Sequence, residues 1–167
     1  MKKELFLIEA INITSFYENM PEEKKNALPL KVYYGLKKVV SKLQPDVRQF
    51  EEVRDEEVKK IRDIYFSEEK SEETAIPKTD ENGEPVLDEN GNQLTDTGRK
   101  VKDEYVDEYK IAMDTLNEKL QEIAMEKNTY EYNWVDIGEM VENLPDDTPL
   151  TRGDIDILDA IFDETAN

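Results

Sequence analysis

The strongest constraint on the fold is a run of apolar residues at helical spacing: Leu36, Val40, Leu43, Val47, Phe50, Ile61 and Ile64, continuing to Phe66. Apolar side chains three and four residues apart share one face of an α-helix, so this stretch demands a long amphipathic helix with one buried stripe. Pro29 suits its first position, where a missing N–H costs nothing. Pro45 falls inside the stripe, where it removes a hydrogen bond and crowds the preceding turn. A kink is expected there, with Asp46 opening a second segment nearly in line with the first. Opposite charges at helical neighbours, Asp55 with Lys59, Glu56 with Lys60 and Lys59 with Asp63, support that second segment by roughly 0.2–0.5 kcal/mol each. The cluster Glu51, Glu52, Asp55, Glu56 and Glu57 therefore reads as a solvated helix face rather than a metal site.

The rest of the chain arranges itself around this helix. Leu5, Ile8, Ile11 and Phe16 keep a helical spacing over residues 3–19. Residues 67–100 change to Ser, Glu, Thr, Asn, Gly and Pro, and Asp80-Glu81-Asn82-Gly83 recurs eight residues later as Asp88-Glu89-Asn90-Gly91. Asn and Gly tolerate positive φ and Asp can bond its own backbone, so both copies predict tight turns of a small β-hairpin or meander. An EF-hand loop needs its Gly at position 6; here Gly comes at position 4, and the calcium reading fails. From Lys102 the helical pattern returns as Tyr105, Tyr109, Ala112, Leu116, Leu120 and Ile123, a narrow seam whose natural partner is the 46–66 helix. Residues 130–137 mix β-branched and aromatic residues and read as a short strand or extended arm. Thr151 with Asp154 forms a capping box that opens a final helix, with Ile155, Leu158 and Ile161 or Phe162 inward.

These elements predict a mainly α-helical single domain, residues 1–167, with a small β-hairpin insertion at about 76–96. Helices are expected near 3–19, 29–66, 102–127 and 151–163, the long charged ones packed as an antiparallel pair with a short C-terminal helix. Within the domain, residues 1–66 form a near-neutral helical part, 67–100 the insertion and 101–167 an acidic helical part.

Composition then narrows the chemistry. The 167 residues include no histidine and no cysteine. That excludes a Ser-His-Asp triad, an imidazole base, a zinc–thiolate centre, an iron–sulfur cluster and any disulfide. No GxSxG elbow, phosphate loop or GxGxxG fingerprint is present. Carboxylates are so abundant that a pair for acid–base work can be picked anywhere, which makes such a pair uninformative. The expectation is a non-enzymatic protein that needs no metal and no cofactor.

The net charge of −19 is unevenly spread. Residues 1–67 carry 12 acids and 13 bases, residues 68–130 carry 18 and 8, and residues 131–167 carry 11 acids with Arg152 as the one base. The acidic part repels nucleic acid and anionic membrane and favours basic partners. No stretch approaches a membrane span, and Glu4 and Glu9 break the N-terminal apolar run, so a cytosolic location in a bacterium or bacterial host is expected.

The combination of an N-terminal Lys-rich helix, a long charged helix, a DENG-type hairpin, a second charged helix and the closing Leu150-Thr151-Arg152-Gly153-Asp154-Ile155-Asp156-Ile157-Leu158 is familiar. It resembles a family of small acidic helical proteins encoded by phages and prophages of Gram-positive bacteria. The resemblance implies origin and compartment, and supplies no catalytic residues. Two interaction readings follow. In the first, the acidic surface imitates a phosphate backbone and inhibits a host nuclease or other nucleic-acid-binding defence protein. Helical carboxylates three or four residues apart are roughly 4.5–6 Å apart along the axis, comparable with strand phosphates. Asp146, Asp147, Asp154, Asp156, Asp159, Asp163 and Glu164 are the expected partner-binding residues. In the second, the chain is a phage assembly factor or minor tail component whose helical seam binds a partner helix. A homodimer through residues 105–123 is compatible with either.

Overall fold

A computed structural model describes residues 2–131 and 150–161 of the chain. It is mostly helical, with two small antiparallel sheets. The elements are β1 (Lys2–Phe6), α1 (Leu7–Glu18), α2 (Glu22–Ala27), α3 (Leu30–Tyr65), β2 (Ser71–Pro77), β3 (Thr95–Val101), α4 (Val106–Ala124), β4 (Lys127–Glu131) and α5 (Arg152–Asp159). The chain divides into two compact units, Met1–Val53 with Lys119–Asn167, and Arg54–Glu118. This differs from the 1–66, 67–100 and 101–167 parts read from charge and composition.

The first unit holds the apolar core. Val32, Leu36, Val39, Val40, Leu43 and Val47 of α3 gather Leu5, Ala10, Ile13, Met20, Leu28, Tyr130, Leu150, Leu158 and Ile161 into one buried cluster. Two expectations change here. The helix expected over 3–19 gives up its first turn, because residues 2–6 pair antiparallel with β4, Lys2 opposite Glu131 and Phe6 opposite Lys127. The ladder pairs the backbone groups along one edge of the strand, and Leu5 is buried. The helix then starts where the ladder ends. The Phe6 N–H donates to the Glu9 carboxylate (2.8 Å) and the Leu7 N–H to the Glu126 carbonyl (2.9 Å).

The second change concerns Pro45. Helix α3 is one element from Leu30 to Tyr65 with Pro45 inside it, and Asp46 opens no second segment. Pro45 sits on the exposed side, whereas Leu43 and Val47 on either side of it are buried. The lost hydrogen bond therefore faces water, and apolar packing before and after the proline holds the helix together.

The second unit, by contrast, buries only Ser71, Val101 and Leu116. Its hairpin is longer than the 76–96 expected: β2 and β3 pair from Ser71 opposite Val101 to Pro77 opposite Thr95. These strands are mostly exposed and polar, and they are joined by side-chain bonds. Lys100 pairs with Glu72 at 2.8 Å, and Arg99 donates to the Ser71 hydroxyl (2.7 Å) and carbonyl (3.1 Å).

The tip beyond them is a closed backbone ring. The Val86 N–H donates to the Lys78 carbonyl (3.0 Å), the Leu94 N–H to the Val86 carbonyl (2.7 Å), and the Lys78 N–H to the Leu94 carbonyl (2.8 Å). Between ring members lie the two Asp-Glu-Asn-Gly turns. Asp80 Oδ1 accepts from the Asn82 and Glu84 N–H groups, and Asp88 Oδ1 from those of Asn90 and Asn92. Gly83 and Gly91 take φ of 81° and 82°, a region that side-chain-bearing residues avoid. The residues flanking the turns contribute isolated bridges, Thr79 with Pro85 and Leu87 with Gln93.

Helix α4, expected over 102–127, runs from Val106 to Ala124 behind a single 3₁₀ turn at Asp103–Tyr105. Its predicted seam is the less exposed side, with Leu116 buried and Tyr105, Tyr109, Ala112, Leu120 and Ile123 half-buried. The Tyr109 ring lies 5.5 Å from Tyr65 and 5.8 Å, edge-on, from Phe66.

Two outcomes follow from this division of labour. Leu43→Ala, at a fully buried position, should lower stability by about 2–5 kcal/mol. Leu87→Ala at the exposed tip should stay within about 0.5 kcal/mol; urea unfolding of both variants checks the contrast. In native-state hydrogen exchange, amides of β2 and β3 should exchange faster than those of Leu36–Val47, because few apolar contacts must break to open the hairpin.

Candidate functional site

Two places in the first unit bring functional side chains together. One is α5, where the expected acidic surface begins. The capping box is formed: Thr151 Oγ1 accepts from the Asp154 N–H (3.2 Å), and Asp154 Oδ2 accepts from the Thr151 N–H (2.8 Å). Asp thus fills the place usually taken by Glu or Gln. The same Asp154 oxygen accepts from Lys24 Nζ at 2.6 Å. Burial raises the Asp154 pKa, but the Lys24 hydrogen bond and the Thr151 bonds outweigh it and hold the carboxyl below the usual range.

This splits the predicted set. Asp154 anchors α5, tying it to Lys24 of α2 while Leu158 and Ile161 enter the core. Asp156 and Asp159 are exposed, and among the described residues neither has an ion-pair partner. Asp146, Asp147, Asp163 and Glu164 lie outside the described residues. Ile155 and Ile157 pack on the core edge.

The other place is a cleft of about 310 Å³ lined by Leu7, Asp46, Gln49, Phe50, Val53, Ile123, Glu126 and Asn128. It joins the start of α1, the middle of α3, the end of α4 and the start of β4. Asn128 Nδ2 donates to Asp46 Oδ2 at 3.3 Å, and among the described residues no cation pairs with Asp46 or Glu126. Behind this wall stands Tyr130, 6% exposed, whose hydroxyl makes no hydrogen bond of good geometry. Burial pushes the phenol up to about 12; Asn128 opposes the shift and the neighbouring Asp46 carboxylate adds to it.

The sequence missed this cleft because its members are scattered over 122 positions, from Leu7 to Asn128, and share no motif. The nearest signal is Asp46 itself, a lone acid on the Lys-rich stretch Lys31–Arg48. Among the described residues, no group of three or more acidic side chains is placed to hold a metal ion, and no helix is long and apolar enough to cross a membrane. No protein-family model, no curated protein and no solved structure matches the chain.

Asp154→Ala removes both the cap and the ion pair and should cost about 1–2 kcal/mol at pH 7. Because the native pKa is depressed, the unfolded chain takes up the proton first. The contribution is full above the unfolded pKa of about 4 and is lost as pH falls through the lower native value. Urea melts should therefore show the variant and parent converging toward pH 2. Tyr130→Phe deletes a hydroxyl that makes no hydrogen bond of good geometry, and its melting curve should match or slightly exceed that of the parent.

Proposed function

We propose that this chain is a non-enzymatic, phage-encoded acidic interaction protein that acts in the cytoplasm of a bacterial host. It inhibits a basic, nucleic-acid-binding defence protein by presenting a DNA-like acidic surface. The observation that carries the reading is the division of labour on α5: Asp154 fastens the helix to Lys24, while Asp156 and Asp159 stand exposed with no ion-pair partner among the described residues. Fixed carboxylates on a rigid element keep their spacing, which is what an imitation of a charged backbone needs. The sequence continues the theme with Asp146, Asp147, Asp163 and Glu164, and Arg152 is the one base after Lys127.

In the assembly-factor reading, the seam of α4 binds a partner helix. That seam is already the less exposed side of α4, with Tyr109 against Tyr65 and Phe66. These contacts favour pairing α4 antiparallel with the 46–66 stretch of its own chain over lending the seam to a partner or a second copy.

Charge-driven capture has a measurable signature. Tagged protein, incubated with nuclease-treated host lysate, should retain a nucleic-acid-handling protein that moderate salt releases and duplex DNA displaces. Asp156→Asn with Asp159→Asn should weaken that complex by roughly three- to ten-fold. Retention through high salt, or undiminished binding by the double variant, would sink this role for α5.

A further inference from the structure

We infer that the cleft between Asp46, Phe50 and Glu126 is a receptor for one arginine side chain of the partner protein. The inference rests on the proposed preference for a basic partner and gives that partner a specific point of entry. Three features of the cleft select this ligand. First, its polar groups are acceptors of one sign: Asp46 from α3 and Glu126 from the turn after α4, neither facing a cation among the described residues. An anion is repelled there, and a neutral apolar group would strip water from two carboxylates with no return.

Second, the remaining lining is apolar and includes an aromatic ring. Leu7, Phe50, Val53 and Ile123 offer a surface for an aliphatic stem, and Val53 is 41% exposed, so this surface opens to solvent. A guanidinium prefers such a setting to a compact ammonium, because its flat face packs on an aromatic ring while its edge donates to a carboxylate.

Third, the polar wall has acceptor capacity to spare: Asn128 takes one Asp46 oxygen, and the Tyr130 hydroxyl, buried behind the cleft, meets Asn128 and Asp46 without a hydrogen bond of good geometry. A head group with five donors in a plane can serve several acceptors on one wall, whereas a single ammonium is limited to three. The volume of about 310 Å³ is ample for one long side chain.

The test uses the whole protein and a small probe. Nα-acetyl-L-arginine amide is titrated into isotope-labelled protein and followed by amide NMR, with Nα-acetyl-norleucine amide as the uncharged counterpart of similar stem. Saturable shifts are expected at Gln49, Phe50, Val53 and Asn128, including the Asn128 side-chain amide. The norleucine probe should bind at least about five-fold more weakly, and Asp46→Asn should weaken the arginine probe by a similar factor. Asn keeps an acceptor for Asn128, so the fold should survive; Glu126→Gln, at an exposed position, provides a second variant whose fold is not in question. Equal binding of the two probes, shifts confined to other surfaces, or indifference to both substitutions would overturn the inference. Failure of this titration leaves the α5 reading standing on its own salt test. Failure of the salt test with the titration intact leaves a guanidinium site without a DNA-like surface.

Discussion

Burial of one stripe of α3, from Val32 to Val47, is the constraint on which the rest of the first unit depends. It holds a helix together across a proline, because the residues on both sides of Pro45 are locked into the core while the proline faces out. It gives α1 and α5 a common floor, and Leu158 and Ile161 are among the most deeply buried side chains in the protein. It also fixes where acid can appear. Asp46 lies next to the stripe and is drawn into a cleft, whereas Asp156 and Asp159, on the far side of a helix seated on that floor, remain in water.

The second unit is built on a different principle. With so little apolar surface buried, its cohesion comes from backbone ladders, Asp-capped turns and short cross-strand pairs such as Glu72 with Lys100. Hydrogen bonds of this kind contribute modestly in net terms because water competes for the same groups. Charge repulsion within an acidic segment works against compactness as well. The hairpin is therefore defined more by geometry than by burial.

The sequence revealed features with a strong period or a local chemical signature. The α3 stripe as far as Val47, the less exposed α4 seam, the two Asn-Gly turns and the Thr151–Asp154 box are in place, since each depends on residues within a few positions of one another; beyond Val47 the stripe opens, and Ile64 is 53% exposed. What escaped notice was non-local. Lys2–Phe6 has too few residues to separate a period of 2 from one of 3.6, and its strand exists only because residues 127–131 come alongside. Strands β2 and β3 are mostly exposed and carry no apolar alternation. Pro45 carries only its local cost in the sequence, whereas the packing that flanks it is set by distant residues. The acidic candidates were legible as a group, but Asp154 could not be told from Asp156 until Lys24, 130 positions away, came to meet it.

The three-member ring at the hairpin tip has a consequence for how such a chain can change over time. Lys78, Val86 and Leu94 each give one backbone bond and take one, and the circuit closes because the eight-residue step occurs twice. A further step would have to open the three-member circuit to enter it, whereas with one step removed the two remaining members would exchange both bonds as an ordinary antiparallel pair. Short tandem repeats in coding sequence are prone to gain and lose copies. Closure makes the number of steps a structural quantity here: a change of letter inside a step, at the exposed Glu81 or Glu89, leaves the circuit untouched, whereas an added step must reopen it.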